Sequence, residues 1–542
     1  MTPSRGGAGP LRNSPSAAPH TLASPVPAWP GTTAVGHEGI DTSAASRSNG
    51  GVKAYRPYAP MQSFLLPPSP REWLPASHLV YFVEGFVARL NLRAIEDRIQ
   101  AKDPRGPLPY APRMMVALLL YGYATGVYSS RGLERATVED VAVRVLAAGA
   151  QPHFTTINQF RSTHREALAG LFVQVLVACQ SAGLVKLGHV AIDGTKMKAN
   201  ASKHKAKSYD RMVKDQARLR AEVEGWLARA EAEDAADDAE HGPYDPQAEV
   251  RLREEKIAKM NAALEALTKE TEAARAAQLR GQAEALRAKA QDPRRTPAKR
   301  KEAATLAGKR VQQALALDPP ADRDDDRDPP GPDDDLPRNT PPATPSGTPK
   351  PSAQRNFTDP HSRIMVRDGA FLQAYNAQIA VDDAHQIIVA AALSNQAPDA
   401  QYFEPLLRRV VRNCDAVPAC VTADTGYFSA ANVQFADHLG TEPLISVGRL
   451  RRGGTPASPS RSPRPTAAHL AMRTALEQPH GRAIYARRKT TVEPVFGQIR
   501  TRGFRQLSFR GLFKNRCEWA FVALVHNLLK LFRAQSPRTV PA

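Results

Sequence analysis

The chain has 542 residues and a formal net charge of +19, from 73 Lys and Arg against 54 Asp and Glu. This excess of positive charge favours a polyanionic partner, with nucleic acid ahead of an acidic membrane surface. The four cysteines include no Cys-x-x-Cys pair, which excludes a disulfide scaffold and a zinc ribbon. No apolar run reaches the roughly 18–20 residues that a membrane-spanning helix needs. We therefore expect a cytoplasmic protein with no membrane partner.

The N-terminal third of the chain changes character near residue 53. Residues 1–52 are mostly Gly, Ala, Ser, Pro and Thr, a composition typical of a disordered tail. Residues 53–182 carry apolar side chains at spacings of three and four, such as Leu79, Phe82 and Phe86, which predicts helices. Several short helices fit a helix-turn-helix-like DNA-binding domain, and the pattern fits a helical packing domain equally well.

Strand patterns begin in residues 183–209, the predicted first part of a sheet domain. A β-branched run at 188–196 predicts a strand that stops at an Asp-Gly turn, with Asp193 at its C-terminal end. A similar run at 419–426 ends on Asp424, and two β-rich runs between them predict an antiparallel hairpin. If the two strands that end on aspartate are neighbours, their carboxylates lie side by side.

The segment between these strands has a different pattern. Residues 210–317 repeat apolar side chains every seven residues, as at Val250, Ile257 and Leu264, which predicts a helical hairpin or short coiled coil. The acidic, Pro-rich residues 318–352 predict a flexible linker, although acidic runs can also bind metal. We expect residues 353–533 to complete the sheet domain and 534–542 to form a tail.

A third acidic residue stands in a strongly basic region. Residues 449–516 hold 16 Lys and Arg against 2 acids, and one of those acids is Glu493. Pro494 suits a first helical turn, so Glu493 lies near a helix start, with Arg500 two turns later on the same face. Three carboxylates could hold Mg²⁺ for attack on a phosphodiester, whereas Glu493 could equally be an ordinary capping residue.

Several segments resemble the bacterial insertion-sequence DDE transposases. The similar segments are 190–202, 358–363, 373–381, 423–428 and 491–499, with 154–161 resembling the N-terminal helical domain of that family and 519–530 its last helix. The likeness extends from about residue 60 to residue 533. It implies an α/β fold, an RNase H-like mixed sheet with flanking helices that is interrupted by a helical insertion and preceded by an all-α domain.

The resemblance also implies the site residues. The DDE triad would be Asp193, Asp424 and Glu493, holding two Mg²⁺ ions for which Mn²⁺ could substitute. The family's Tyr–Arg–Glu–Lys signature is matched by Tyr485, by Arg488 or Lys489 in the Arg position, and by Arg500 in place of the Lys. The DNA or phosphate contacts predicted in this region are Tyr485, Arg488, Lys489, Arg500, Arg502 and Arg505.

The predicted function is that of a nucleoid-associated DNA transposase. It would bind the terminal inverted repeats of its element and target DNA as a homodimer, cut strands in a metal-dependent reaction and transfer them to the target. One alternative is a DNA-binding regulator that has lost catalysis. Another is an RNase H-like nuclease that does not transfer strands.

Overall fold

The computed structural model describes residues 69–101, 108–234, 246–318, 336–448 and 466–535. The predicted tail at 1–52 lies outside these ranges, as do the acidic runs of the predicted linker and residues 536–542. Within the described ranges, no helix is both long enough and apolar enough to cross a membrane.

Helices make up the first part of the described chain, as predicted. They are α1 (Leu79–Arg89), α2 (Arg93–Gln100), α3 (Pro112–Thr125), α4 (Ser130–Glu139), α5 (Val141–Leu146), α6 (Phe154–Thr163) and α7 (Arg165–Ser181). The ends of α3 follow from its sequence, with Pro112 in the first turn and Gly126 at φ 89° beyond the last. The side chain of His153 caps α6 by accepting the Thr155 N–H.

The strands form one large sheet and one small ribbon. They are β1 (His189–Lys198), β2 (Ala206–Ser208), β3 (Gln354–Asn356), β4 (Arg363–Arg367), β5 (Ala370–Asp382), β6 (Ile387–Ser394), β7 (Cys420–Ala423) and β8 (Glu442–Ile445). β6, β5 and β1 run antiparallel to one another in that order, and β7 and β8 follow β1 in parallel; β4 also pairs with β5. The mixed sheet with flanking helices confirms the predicted α/β fold, and β5–β6 is the predicted hairpin.

The predicted end of β1 is wrong. The strand does not turn at Asp193 but continues to Lys198, because its second half remains paired with β5, with Gly194 opposite Gln378. The parallel pairing with β7 ends earlier, at Ala191 opposite Thr422. At Asp193, β1 is therefore still paired with β5 but no longer with β7. The side of β1 that faces β7 is open at this position.

In its described residues, the insertion between β2 and β3 contains three helices, α8 (Tyr209–Asp234), α9 (Pro246–Gln291) and α10 (Pro297–Leu317). The antiparallel pairing of β2 with β3 holds the two ends of the insertion together. The predicted heptad positions do pack: Met260 and Leu267 are buried in a small cluster with Met212 of α8, and Ile257 and Leu264 lie against it. Glu270 of α9 accepts ion pairs from Arg355 and from Arg363.

The structure corrects the extent of the predicted linker. Residues 319–335 lie outside the described ranges, but residues 336–352 are packed. Leu336 is buried, the Asn339 N–H donates to the Asn395 side chain at 2.9 Å, and the Pro337 carbonyl accepts from Ser394. Side chains at the C-terminal end of β6 thus bind the backbone of this Pro-rich segment.

The remaining helices complete the sheet domain. They are α11 (Phe403–Cys414), α12 (Ala430–Leu439), α13 (Ala467–Glu477), α14 (Pro479–Thr491), α15 (Glu493–Thr501) and α16 (Leu512–Gln535). α16 starts six residues before the predicted 518 and is buried along most of its length. Trp519 on α16 donates to the Gln378 carbonyl of β5, and Glu518 accepts from Tyr123 of α3. One buried core therefore joins α1–α7 to the sheet.

Candidate active site

The ends of two parallel strands bring two predicted acids together. Continuing the β1–β7 pairing from Ala191 and Thr422 by two residues places Asp193 opposite Asp424. Each carboxylate accepts a backbone N–H, Asp193 from Gly194 at 2.8 Å and Asp424 from Gly426 at 2.9 Å. These two aspartates are 231 positions apart in the sequence, and the sheet makes them neighbours.

Asp193 lies in an environment that disfavours its negative charge. Its side chain is only 17% exposed. Burial raises the pKa of Asp193 to about 6, and the nearby charge of Asp424 adds to the increase, while Arg488 and the Gly194 N–H oppose it. Without a further cation, the carboxylate of Asp193 is incompletely neutralised.

Arg488 on α14 connects two of the predicted acids. Its guanidinium lies 3.2 Å from Asp193 Oδ2 and 3.8 Å from Glu493 Oε1, and its side chain is 10% exposed. Burial works against the charged form of Arg488, but the surrounding acids, Asp193 foremost, outweigh it and raise its pKa. The guanidinium carbon is 5.9 Å from the centre of the Tyr485 ring. Lys489, the other predicted candidate, is exposed. Of the two, the structure brings Arg488 to the acids.

Glu493 is the first residue of α15, as the Pro494 signal predicted, and its side chain is 53% exposed. Its carboxylate is engaged by Arg488. Among the described residues, no group of three or more His, Cys, Asp or Glu side chains is already arranged to hold a metal ion. The structure therefore places Asp193 beside Asp424 and links Asp193 to Glu493 through a cation.

The other predicted basic residues differ in where they lie. Arg500 Nη2 donates to Thr195 Oγ1 at 2.5 Å, and Thr195 is on the same face of β1 as Asp193. Arg505 is exposed. Arg502 is partly buried, its carbonyl accepts from Tyr128, and burial lowers its pKa. Arg500 therefore reaches the site, whereas Arg502 packs against the helical region.

A polar cluster beside the aspartates was not predicted from the sequence. Asp399 Oδ1 accepts from Lys196 Nζ at 3.1 Å, from Asn376 at 2.7 Å and from Gln378 at 2.8 Å. The side-chain oxygen Oε1 of Gln378 in turn accepts from the buried hydroxyl of Tyr427. Asp399 lies immediately before a short helical turn, Ala400–Tyr402, but its side chain makes no capping bond there. Its partners lie on β1 and β5, which local sequence does not reveal.

The comparisons with known proteins identify transposase domains in two parts of the chain. Residues 343–528 match the model of the transposase DDE domain, a range that includes Asp424 and Glu493 but begins after Asp193. Residues 68–163 match the model of a transposase domain (DUF772). No curated protein and no solved structure matches the chain.

The two matched ranges occur in the order that the resemblance implied, the helical domain before the sheet domain. Transposases with a DDE domain act on DNA and generally use divalent metal ions. With an RNase H-like order of strands and two acids paired at the sheet edge, the chain belongs to the DDE transposases of insertion sequences.

Proposed function

We propose that this transposase binds the terminal inverted repeats of its element, cuts DNA at those ends in a metal-dependent reaction and joins the freed strands to target DNA. The observation that carries the proposal is the position of Asp193 opposite Asp424, just beyond the paired residues of two parallel strands, with Glu493 linked to Asp193 by Arg488. Phosphodiester chemistry needs negative ligands for cations next to groups that bind phosphate. This edge of the sheet supplies both.

The residues present fit a divalent cation such as Mg²⁺. Asp193 and Asp424 offer the carboxylate oxygens that Mg²⁺ prefers, and the raised pKa of Asp193 reflects negative charge that a cation would balance. Asp193, Asp424 and Glu493 would hold two such ions, with Glu493 released from its ion pair with Arg488. When bound, the metal supplies activation of a water or hydroxyl nucleophile and neutralisation of phosphate charge.

The chain's own side chains have separate tasks in this proposal. Arg488, once its contacts with the acids loosen, offers a planar guanidinium that can bind a phosphate through two hydrogen bonds. Arg500 lies beside this site because it donates to Thr195, which follows Asp193 by two residues on the same face of β1. These cations would orient the DNA backbone next to Asp193 and balance charge as the phosphodiester breaks.

Asp193→Asn, Asp424→Asn and Glu493→Gln test the proposal. Each should abolish nicking of a plasmid that carries the gene with its own flanking DNA, because a neutral amide cannot supply the charge that the metal ligands need. Binding to the same DNA should persist, since it depends on phosphate contacts elsewhere. Combining the substitutions should add no further loss, because any one already disables the shared centre.

Glu477→Gln is the matched control. Glu477 is the other acid of the basic region and pairs on the surface with Arg473, so its loss should change nicking little. Nicking that persists in EDTA, or in any of the three neutral variants, would refute the site. Nicking without joined products would instead identify a nuclease, and binding without nicking in the wild-type protein would identify a regulator.

A further inference from the structure

The far end of the insertion is much more basic than its base. Residues 287–310, which we call the hairpin tip, hold 9 Lys and Arg against 2 acids. Residues 246–275, the half of α9 that packs mainly against α8 and that we call the hairpin base, hold 6 Lys and Arg against 6 acids. The positive charge of the insertion is therefore concentrated where α9 ends and α10 begins.

The cations of the hairpin tip face solvent. Seven of them are exposed: Arg287, Lys289, Arg294, Arg295, Lys299, Lys301 and Lys309. Arg295 lies 3.7 Å from Asp292, a surface pair of the kind that contributes little. In the hairpin base, by contrast, Lys259 and Lys269 each pair with a glutamate four residues earlier in α9. The tip thus presents a positive surface that its own acids do not neutralise.

The hairpin of α9 and α10, which we call the arm, holds this surface at a distance from the sheet. Glu270 is fixed to the sheet domain by Arg355 and Arg363. Beyond it, α9 continues to Gln291, which at about 1.5 Å per residue is about 30 Å. Alanines are buried between α9 and α10 along this stretch, including Ala276, Ala283, Ala303, Ala307 and Ala314. Small side chains let the two helices pack closely, which favours a stiff arm.

We infer that the hairpin tip is a second DNA-contacting surface, which binds the phosphate backbone of duplex DNA away from the phosphodiester at the Asp193 site. The length of α9 beyond Glu270, about 30 Å, equals the length of about nine base pairs of duplex at about 3.4 Å per base pair. Exposed Lys and Arg on one end of a rigid arm suit phosphates, which carry no sequence information, and so would set the position of the DNA rather than recognise its bases. This inference rests on the proposed function, since it takes DNA as the partner.

A triple substitution at the tip, Arg294→Gln, Lys299→Gln and Lys301→Gln, tests the inference in the full chain. Each lost phosphate contact lowers the slope of log K against log salt by about 0.9, so the slope for a 40-base-pair duplex should fall by about two to three. The matched control removes three cations from the hairpin base, Lys256→Gln, Lys259→Gln and Lys269→Gln. These residues are exposed, and the control should leave the slope nearly unchanged.

The outcomes separate this inference from the proposed function. Wild-type protein that shows no salt-dependent binding to the duplex would overturn both. Wild-type binding with the same slope in the tip variant, or an equal fall in the base variant, would overturn the hairpin tip alone. Circular dichroism and thermal unfolding of both variants establish that the helices remain folded.

A tethered cleavage reagent measures the reach directly. The native cysteines Cys179, Cys414, Cys420 and Cys517 are all buried, so an iron chelate would label an Ala298→Cys variant at the exposed tip selectively. Bound to DNA from the gene's own flanks, the labelled protein should cut the backbone at a defined position that is separate from the nick made by the active site. Cutting from an Ala262→Cys variant in the hairpin base should fall closer to the nick. No cutting from position 298 on bound DNA would refute the inference.

Discussion

At the scale of single residues, Arg488 joins acids that are far apart in the sequence. Replacing it with Ala removes the cation between Asp193 and Glu493 and the proposed phosphate contact. We expect nicking to fall by about 100- to 1,000-fold, the cost of removing a preorganised charge at a reacting phosphate. Lys489→Ala is the control, since Lys489 is exposed on the same helix, and it should stay within about twofold of wild type. Equal losses in both variants would remove Arg488 from the site.

The raised pKa of Asp193 makes a prediction about stability and pH. The folded-state pKa of about 6 lies above the ordinary value of 3.8, so the folded protein holds this proton more tightly. Its contribution to stability is complete below about pH 4 and is lost as the pH rises through 6. Thermal unfolding in EDTA should therefore show that the advantage of Asp193→Asn over wild type grows from pH 5 to pH 7.5, by up to about 1.4 kcal/mol. If the stability of the variant and of wild type changed with pH in the same way, the negative charge of Asp193 would not destabilise the folded protein.

At the scale of elements, the close contact between β1 and β5 depends on Gly194. A Cβ at this position would collide with the amide of Gln378, which is fully buried and held by Asp399 and Tyr427. Gly194→Ala should cost about 1–3 kcal/mol in the free energy of unfolding and displace Asp193 next to it. Denaturant unfolding and nicking should both report the change.

Gly188→Ala is the matched control for that substitution. A Cβ at Gly188, one residue before β1, meets nothing within 4 Å. Its stability and nicking should stay close to wild type. If Gly194→Ala behaved in the same way, the packing of Gln378 against β1 would not constrain the site.

The elements also show what the sequence could predict. Local signals were sufficient for the β5–β6 hairpin and for Glu493 at the start of α15, since alternation and a proline in the first turn are properties of a short segment. The end of β1 was predicted wrongly because Asp-Gly favours a turn, whereas pairing with β5 keeps the strand extended. Asp399 was missed because its partners come from two other strands. Pairing between distant segments decided both cases.

At the scale of the whole molecule, the basic region 449–516 predicts strong non-specific DNA binding, and the structure separates its cations. Arg505 and Arg510 are exposed, while Arg502 is partly buried beside Tyr128. Replacing Arg505 and Arg510 with Ala should lower the salt slope of DNA binding by up to about two. Arg502→Ala should lower stability and leave the slope nearly unchanged. Fluorescence anisotropy over a salt series measures the slopes. A lower slope for Arg502→Ala, with an unchanged slope for the Arg505 and Arg510 variant, would place Arg502 on the DNA.

The position of α16 in the common core has a consequence for how the chain is made. Cys179 of α7 contacts the Asn527 carbonyl of α16, a contact across 348 residues. At about 5–20 residues per second, a ribosome delivers α16 tens of seconds after α7. During that interval the apolar faces of α7 and β6 that α16 later covers have no partner. A nascent chain of this kind should therefore depend on chaperones, and its catalytic edge should form only when synthesis is almost complete.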